Sequence, residues 1–452
     1  MLQARHTPST FCVPYQVSRM RAMNRAWGAA ADAAGGMVHA LRSDAVLRNA
    51  TRFALKLGEH TWGRDVKSTL FDNYSWRNAD FEKAKAAGSK NASQYAALES
   101  SWWEQREWSI TVAVDTLSAA AHPLARAVEQ SFAMLEPSMP SLEGFVAAQA
   151  GERIRCGELQ VAIDTTGAIS HLTDDRDKHS WADAQHTLLA TRYRTYSADD
   201  VQHFFGSYCM SDAGWVQHDY GKPGLPATVA GALWETHLAS LHVMRGARGT
   251  CSIVIQTAFD ARASSEYGAP AQGWTALLLR PENRSIEVQV NMLKKTTTRL
   301  PEAMFVQFTP PARPTSAAAG AAEGSNAWAA NKLGSWVGPN DIVDGGSKHL
   351  HGITEAGLRV TAADGHMMHI EAADAAVANF GELTAYPSPV NVTADTDRFG
   401  ASFLLWDNLW GTNYVMWWPF VVPPPAQYAV SAKYFPARSN RNMMSRFTIR
   451  LG

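Results

Sequence analysis

The sequence is poor in cysteine and in charge, and it lacks any long apolar run. Its four cysteines, Cys12, Cys156, Cys209 and Cys251, are scattered over 452 residues. Without a Cys-x-x-Cys pair or another short spacing, a zinc site of the finger or ribbon kind is excluded. The wide separations predict isolated buried thiols rather than a disulfide. Charged residues make up 18%, against ~25% in an average globular protein, and 41 Lys+Arg offset 42 Asp+Glu to leave a net charge of -1. A chain so balanced has no general attraction for nucleic acid or for an anionic membrane surface, so neither is expected as a partner. No stretch of 18 apolar residues occurs, which argues against a membrane span. Residues Met1 to Met20 include Arg5, His6 and Pro8 but no continuous apolar core, so no signal peptide is legible and the compartment stays open. Also missing, in any supporting context, are a Gly-x-Ser-x-Gly elbow, a phosphate loop and a dinucleotide fingerprint.

What the chain has in excess is tryptophan, 16 residues of it. Indole rings are large apolar surfaces with one polar handle, suited to cores and to stacking on sugars or bases. Six (Trp27, Trp62, Trp76, Trp102, Trp103, Trp108) fall in a region that reads as helical, and four (Trp406, Trp410, Trp417, Trp418) crowd one stretch near the C-terminus.

Helix is predicted over roughly residues 15 to 120. Met20, Met23, Trp27, Ala30, Ala34, Met37 and Leu41 recur at spacings of three and four and form one stripe. A second helix is expected to open just after His60 and carry Val66, Leu70, Tyr74 and Phe81 inward as far as Gly88. A third runs from about Gln94 to Ala120, with Trp103, Ile110, Val114 and Leu117 on one stripe and Leu98, Trp102 and Val112 widening it. Three helices with short joins predict a bundle. From about residue 155 the pattern shortens to alternation. Leu159, Val161 and Ile163 precede a Thr165-Thr166-Gly167 turn, Ile253 and Ile255 lie in a second run, and Trp274, Ala276 and Leu278 lead to the Arg280-Pro281-Glu282-Asn283 turn before Ile286, Val288 and Val290 return. Asp364-Gly365 marks a further hairpin.

The expected fold is therefore α+β and multidomain, an N-terminal three-helix bundle followed by a large antiparallel β-sandwich region. Its expected parts are a bundle over 1–150, a first β-sandwich part over 151–310, a low-complexity Pro/Ala/Gly insertion over 311–327 and a second sandwich part over 328–452.

Two stretches are dense in chemistry. Lys56 to Asp65 contains Gly58-Glu59-His60-Thr61-Trp62-Gly63, an imidazole, a carboxylate and an indole between glycines that let backbone approach a ligand, and Asp72-Asn73-Tyr74-Ser75-Trp76 follows. Asp65, Thr69 and Asp72 would share one helical face below His60. A lone histidine in such a loop has a structural reading too, and Glu59-His60 is no metal site by itself, because a catalytic zinc needs three or four ligands. Near the C-terminus, Leu405 to Phe420 holds four Trp, one Tyr, two Asn and an Asp. It reads either as an aromatic wall with Asn408, Thr412 and Asn413 to bond sugar hydroxyls, or as aromatic core between sheets. His349 and His351, two apart, read as turn-side polar residues or as metal ligands. His366 and His369 carry no assigned role.

In this order of elements the sequence resembles glycoside hydrolase family 38, the α-mannosidases, in their middle and C-terminal parts. More narrowly it looks like a branch in which Gly58-Glu59-His60-Thr61-Trp62-Gly63 stands where the mannosidases have His-His-Asp. The other matching stretches are Ser101-Trp102-Trp103-Glu104-Gln105-Arg106, Thr298-Arg299-Leu300-Pro301-Glu302-Ala303 and Asn408-Leu409-Trp410-Gly411-Thr412-Asn413. The resemblance implies a mutarotase-like supersandwich for the β region and retaining hydrolysis of α-mannoside-type bonds assisted by zinc. It assigns His60 to the metal and brings Glu59, Trp62, Asp65, Asn408, Trp410 and Asn413 near a carbohydrate. It assigns no catalytic residue here, because the nucleophile and the other zinc ligands of the family sit on an N-terminal barrel. Only 59 residues precede His60, against ~200 or more for such a barrel. The expectation is a polypeptide inactive on its own, with zinc bound only if a barrel, missing or separately supplied, completes the site. The alternative expectation is a non-catalytic carbohydrate-binding or scaffold protein.

Overall fold

The structure is a computed structural model that describes residues 14–55, 64, 69–135, 138–208, 214, 217, 221–311, 328–332, 334–338, 341, 356–371, 376–380, 401–407, 420–421, 428–429 and 441–452. The chain is α+β, a helical region followed by large antiparallel sheets. Helices α1 (Pro14–Ala33), α2 (Met37–Ser43), α3 (Ala45–Ala54), α4 (Asn78–Lys85), α5 (Ala92–Ala119) and α6 (Pro123–Ala133) form the first region. At 28 residues, α5 is about 42 Å long and serves as its spine.

The predicted Met20–Leu41 stripe is cut in two. Gly35 and Gly36 adopt φ of 81° and 120°, which side chains disfavour, and the helix restarts at Met37. Asp44 then accepts the Leu47 backbone N–H at 2.8 Å and caps α3. The two halves still bury one core, in which Met23, Trp27, Leu47 and Ala50 meet Ile110, Ala113 and Leu117 of α5 and Val128 of α6. Trp27 donates its indole N–H to Thr51 at 2.8 Å, so its one polar atom is satisfied inside that core. The helix expected to carry Leu70, Tyr74 and Phe81 inward departs further from expectation. Residues 71–77 are not helical, and α4 begins only at Asn78. Leu70 and Phe81 are buried as expected, but Tyr74 is 84% exposed.

The β region contains a four-stranded sheet of Ile154–Cys156, Leu159–Ile163, Ile169–Asp174 and Ser180–Ala182, and a much larger sheet. The centre of the large sheet is a meander of Ala232–Arg245, Cys251–Phe259, Gln272–Arg280 and Ser285–Lys295. The C-terminal strand Arg441–Leu451 pairs with Ser285–Lys295 and joins the hairpin Leu358–Thr361/Met367–Glu371 to the sheet. On the far side, Ala190–Thr195 and Glu302–Phe308 continue it. The expected turns are present at residues 280–285 and at Asp364-Gly365. In the first of these hairpins Ile286 and Val288 pair with Leu279 and Leu277, and all four belong to the main hydrophobic core shared with the small sheet. Trp274 belongs to a separate cluster, where it packs with Val254, Leu293, Leu142 and Phe145.

A further expectation is overturned. Cys156 and Cys251 form a disulfide across 95 residues, with Cα atoms 5.6 Å apart. Their distance in sequence hides the pairing, because the topology lays the edge strand of the small sheet beside the meander. Cys12 and Cys209 lie outside the described residues, as does the low-complexity stretch from residue 312 to 327.

Candidate functional site

The described residues gather polar chemistry most densely where the helical region meets the β region. The turn Asp72–Trp76 is built by one carboxylate. Asp72 Oδ1 accepts the backbone N–H groups of Tyr74 at 2.9 Å and Ser75 at 3.0 Å, and this local turn competes with a continuing helix. Its Oδ2 accepts the Tyr95 hydroxyl from α5 at 2.9 Å.

Arg299, more than 220 residues downstream, closes the arrangement. It donates to the Asp72 carbonyl at 2.8 Å, to the Ser75 carbonyl at 3.2 Å and to the Tyr95 hydroxyl at 2.7 Å. Its guanidinium also lies 4.4 Å from the centroid of the Trp76 ring, a cation–π contact made out of water. The Trp76 indole N–H in turn is shared by the Asn73 and Pro223 carbonyls, each at 3.1 Å. Asp72, Trp76, Tyr95 and Arg299 are all at most 4% exposed. Next to Pro223, Gly224 has φ of +78°, and a Cβ there would collide with the Asn73 carbonyl oxygen. Only glycine fits that approach.

Burial raises the pKa of Asp72, but the Tyr74 and Ser75 amides and the Arg299 charge outweigh it and hold the carboxyl well below the usual range. Burial, with the neighbouring Asp72 charge, drives the Tyr95 phenol far above its ordinary value, so it stays a donor. Both carboxylate oxygens of Asp72 are occupied by internal donors. It is therefore a positioning group, held by the fold rather than presented to a substrate for nucleophilic or base chemistry.

A second buried network starts three residues after Arg299. Glu302 receives Lys295 Nζ at 2.8 Å on one oxygen and the Tyr193 hydroxyl on the other. The same hydroxyl lies 2.8 Å from the Tyr267 carbonyl. Glu302, Lys295 and Tyr193 are at most 3% exposed. Burial lowers the Lys295 pKa against the pull of Glu302, and raises that of Tyr193. The stretch Thr298–Ala303 thus acts as a clasp, with Arg299 gripping the helical region and Glu302 gripping the sheets.

The site residues expected from sequence fall elsewhere. Glu59, His60, Trp62 and Asp65, and likewise Asn408, Trp410 and Asn413, lie outside the described residues, as do His349 and His351. Arg64 is held to α5, its backbone N–H donating to Ser101 Oγ at 3.0 Å. Two stretches notable in the sequence, Asp72–Trp76 and Thr298–Ala303, meet at Tyr95 of α5. Tyr95 had no role in the sequence pattern, and Arg299 stood out only as part of a matching stretch. Nor did the pattern show that the turn presents two aromatic rings to solvent, Phe71 at 69% and Tyr74 at 84% exposure.

A family model described as "Domain of unknown function (DUF5054)" matches residues 12–287, more than half of the chain. The chain belongs to this family. That match takes in the helical region, the small sheet and most of the meander, including Asp72, Tyr95 and both disulfide cysteines, and ends before Arg299. No curated protein matches the chain. Among solved structures it is similar to an alpha-mannosidase from Enterococcus faecalis V583, with 11% identity and a TM-score of 0.37 over 70% of this chain and 30% of that one. A protein in the glycosyl hydrolase family 38 from Enterococcus faecalis gives the same identity and TM-score, over 70% and 31%. A galactose mutarotase-like protein from Lactobacillus casei ATCC 334 matches at 9% identity and a TM-score of 0.31, over 68% of this chain and 100% of that one. The chain spans about 30% of the length of the first two.

Proposed function

We propose that this chain is the bundle-and-sheet portion of a family-38-like glycoside hydrolase acting on α-mannoside-type bonds, and that its own task is to hold the Gly58–Gly63 segment against a sugar. One observation supports the reading above others. The stretches around Asp72 and Arg299, distant in sequence, meet through buried hydrogen bonds at Tyr95 of α5, the helix whose Ser101 accepts the Arg64 backbone N–H. In this reading His60 is a ligand of a zinc ion completed by a barrel, and Glu59, Trp62, Asp65, Asn408, Trp410 and Asn413 contact the carbohydrate. The metal, when bound, would polarise and orient sugar hydroxyls. The nucleophile of retaining hydrolysis comes from outside these residues.

The test is an aryl α-mannoside assay on purified full chain with added zinc, beside H60A, combined with titration of mannose-containing oligosaccharides. The expected result is no hydrolysis above H60A, with saturable sugar binding that W62A weakens about tenfold, the equivalent of one stacked ring. Hydrolysis clearly above H60A would overturn the incomplete-site reading, and absence of any sugar binding would overturn the carbohydrate reading.

A second reading, a non-catalytic carbohydrate-binding or scaffold protein, draws on the exposed Phe71 and Tyr74 rings beside a rigid turn. The two readings part on the DNA upstream of Met1. An in-frame barrel bearing an Asp nucleophile and metal-binding His/Asp residues favours the hydrolase.

A further inference from the structure

A second cluster, remote in sequence from His60, joins the two sheets. His179 precedes the edge strand of the small sheet, and Asp364 and His366 sit on the hairpin turn of the large one. His179 Nδ1 lies 2.7 Å from Asp364 Oδ2, and His366 Nδ1 lies 3.1 Å from Asp364 Oδ1. The two imidazoles stack 4.3 Å apart at 19°, and the three residues offer ligand atoms all within 4.8 Å of one another.

The surroundings are those of a supported site. The other nitrogen of His366, Nε2, faces Asp177 Oδ2 at 3.5 Å, the carboxylate–imidazole relation that orients metal-bound histidines. Asp177 is itself held by the His179 backbone N–H at 3.1 Å and by Arg284. Trp181 walls the site, 4.2 Å from the His179 ring and buried. The His179 side chain is 8% exposed. Its Nε2 has no hydrogen-bond partner among the described residues. Asp364 is half exposed, which leaves an entry path.

We propose that His179, Asp364 and His366 bind a divalent first-row transition metal, zinc foremost, with the fourth position open to water. Two imidazoles and one carboxylate are a donor set such ions favour over calcium or magnesium. The ion ties the hairpin to the edge of the small sheet, at a point separate from the disulfide.

The probe is zinc alone, titrated calorimetrically into the full chain, with cobalt(II) absorption as a second readout. Expected is one equivalent of zinc whose affinity falls on the order of 100-fold in H366A and in D364N, with cobalt d–d bands in the wild type that both variants lose. D364N keeps the size of a half-exposed turn residue, so it answers the question if H366A folds poorly. Equal zinc binding by wild type and D364N, or no binding by wild type up to millimolar zinc, overturns the proposal. Since every protein compared keeps His60, the difference between them is independent of the hydrolase reading.

Discussion

Arg299 and Asp72 were legible as residues but not as partners. The stretch around Arg299 is distinctive, yet nothing in a linear sequence joins it to a turn more than 220 positions earlier. Their energetic weight follows from burial. Removing one member of a buried, hydrogen-bonded charge set strands the others, at a cost of about 3–5 kcal/mol. R299A is expected to lose about that much in urea denaturation, and Y95F about 1–3 kcal/mol by leaving Asp72 Oδ2 short of a donor. The pH dependence has a definite sign. Asp72 has its folded-state pKa below the unfolded value of ~3.9, so its contribution is full at neutral pH and fades as pH falls through and below that value. The stability gap between wild type and D72N, measured by urea midpoint, should therefore narrow as pH is lowered from about 5 to about 2.

At the level of elements, periodicity found the long helix α5 and the hairpins because their stripes and turn residues are local. It failed where local geometry overrides the pattern. Gly35-Gly36 breaks an apparent stripe, and the Asp72 carboxylate captures the amides that a helix from His60 would have used. The Cys156–Cys251 pair was illegible for a different reason, since a sequence separation of 95 carries no sign of which strands become neighbours. Peptide mapping without reductant should recover the 156–251 link, and C156S/C251S should lower stability by about 2–4 kcal/mol, an effect reproduced by reductant in the wild type. G224A, which drives a methyl into the Asn73 carbonyl, should lower the melting temperature markedly more than alanine at Gly214, where a Cβ meets nothing within 4 Å.

Across the whole molecule, the division into helices and then sheets was readable from the change in hydrophobic period near residue 155. How the halves are joined was not, because the clasp consists of polar side chains that belong to neither pattern. If Arg299 couples the halves, wild type should melt in a single calorimetric transition while R299A separates into two. The described surface presents Phe71 and Tyr74, whose rings face solvent from a turn that cannot easily move.

The disulfide also has a mechanical side. Pulled from its ends, the oxidised chain cannot release the loop closed between Cys156 and Cys251, a sequence separation of 95, which keeps roughly 310–340 Å of contour hidden. A reductant would add that length to the force–extension trace in one step. Redox state would then set how far this protein can stretch, as well as how firmly its sheets are held.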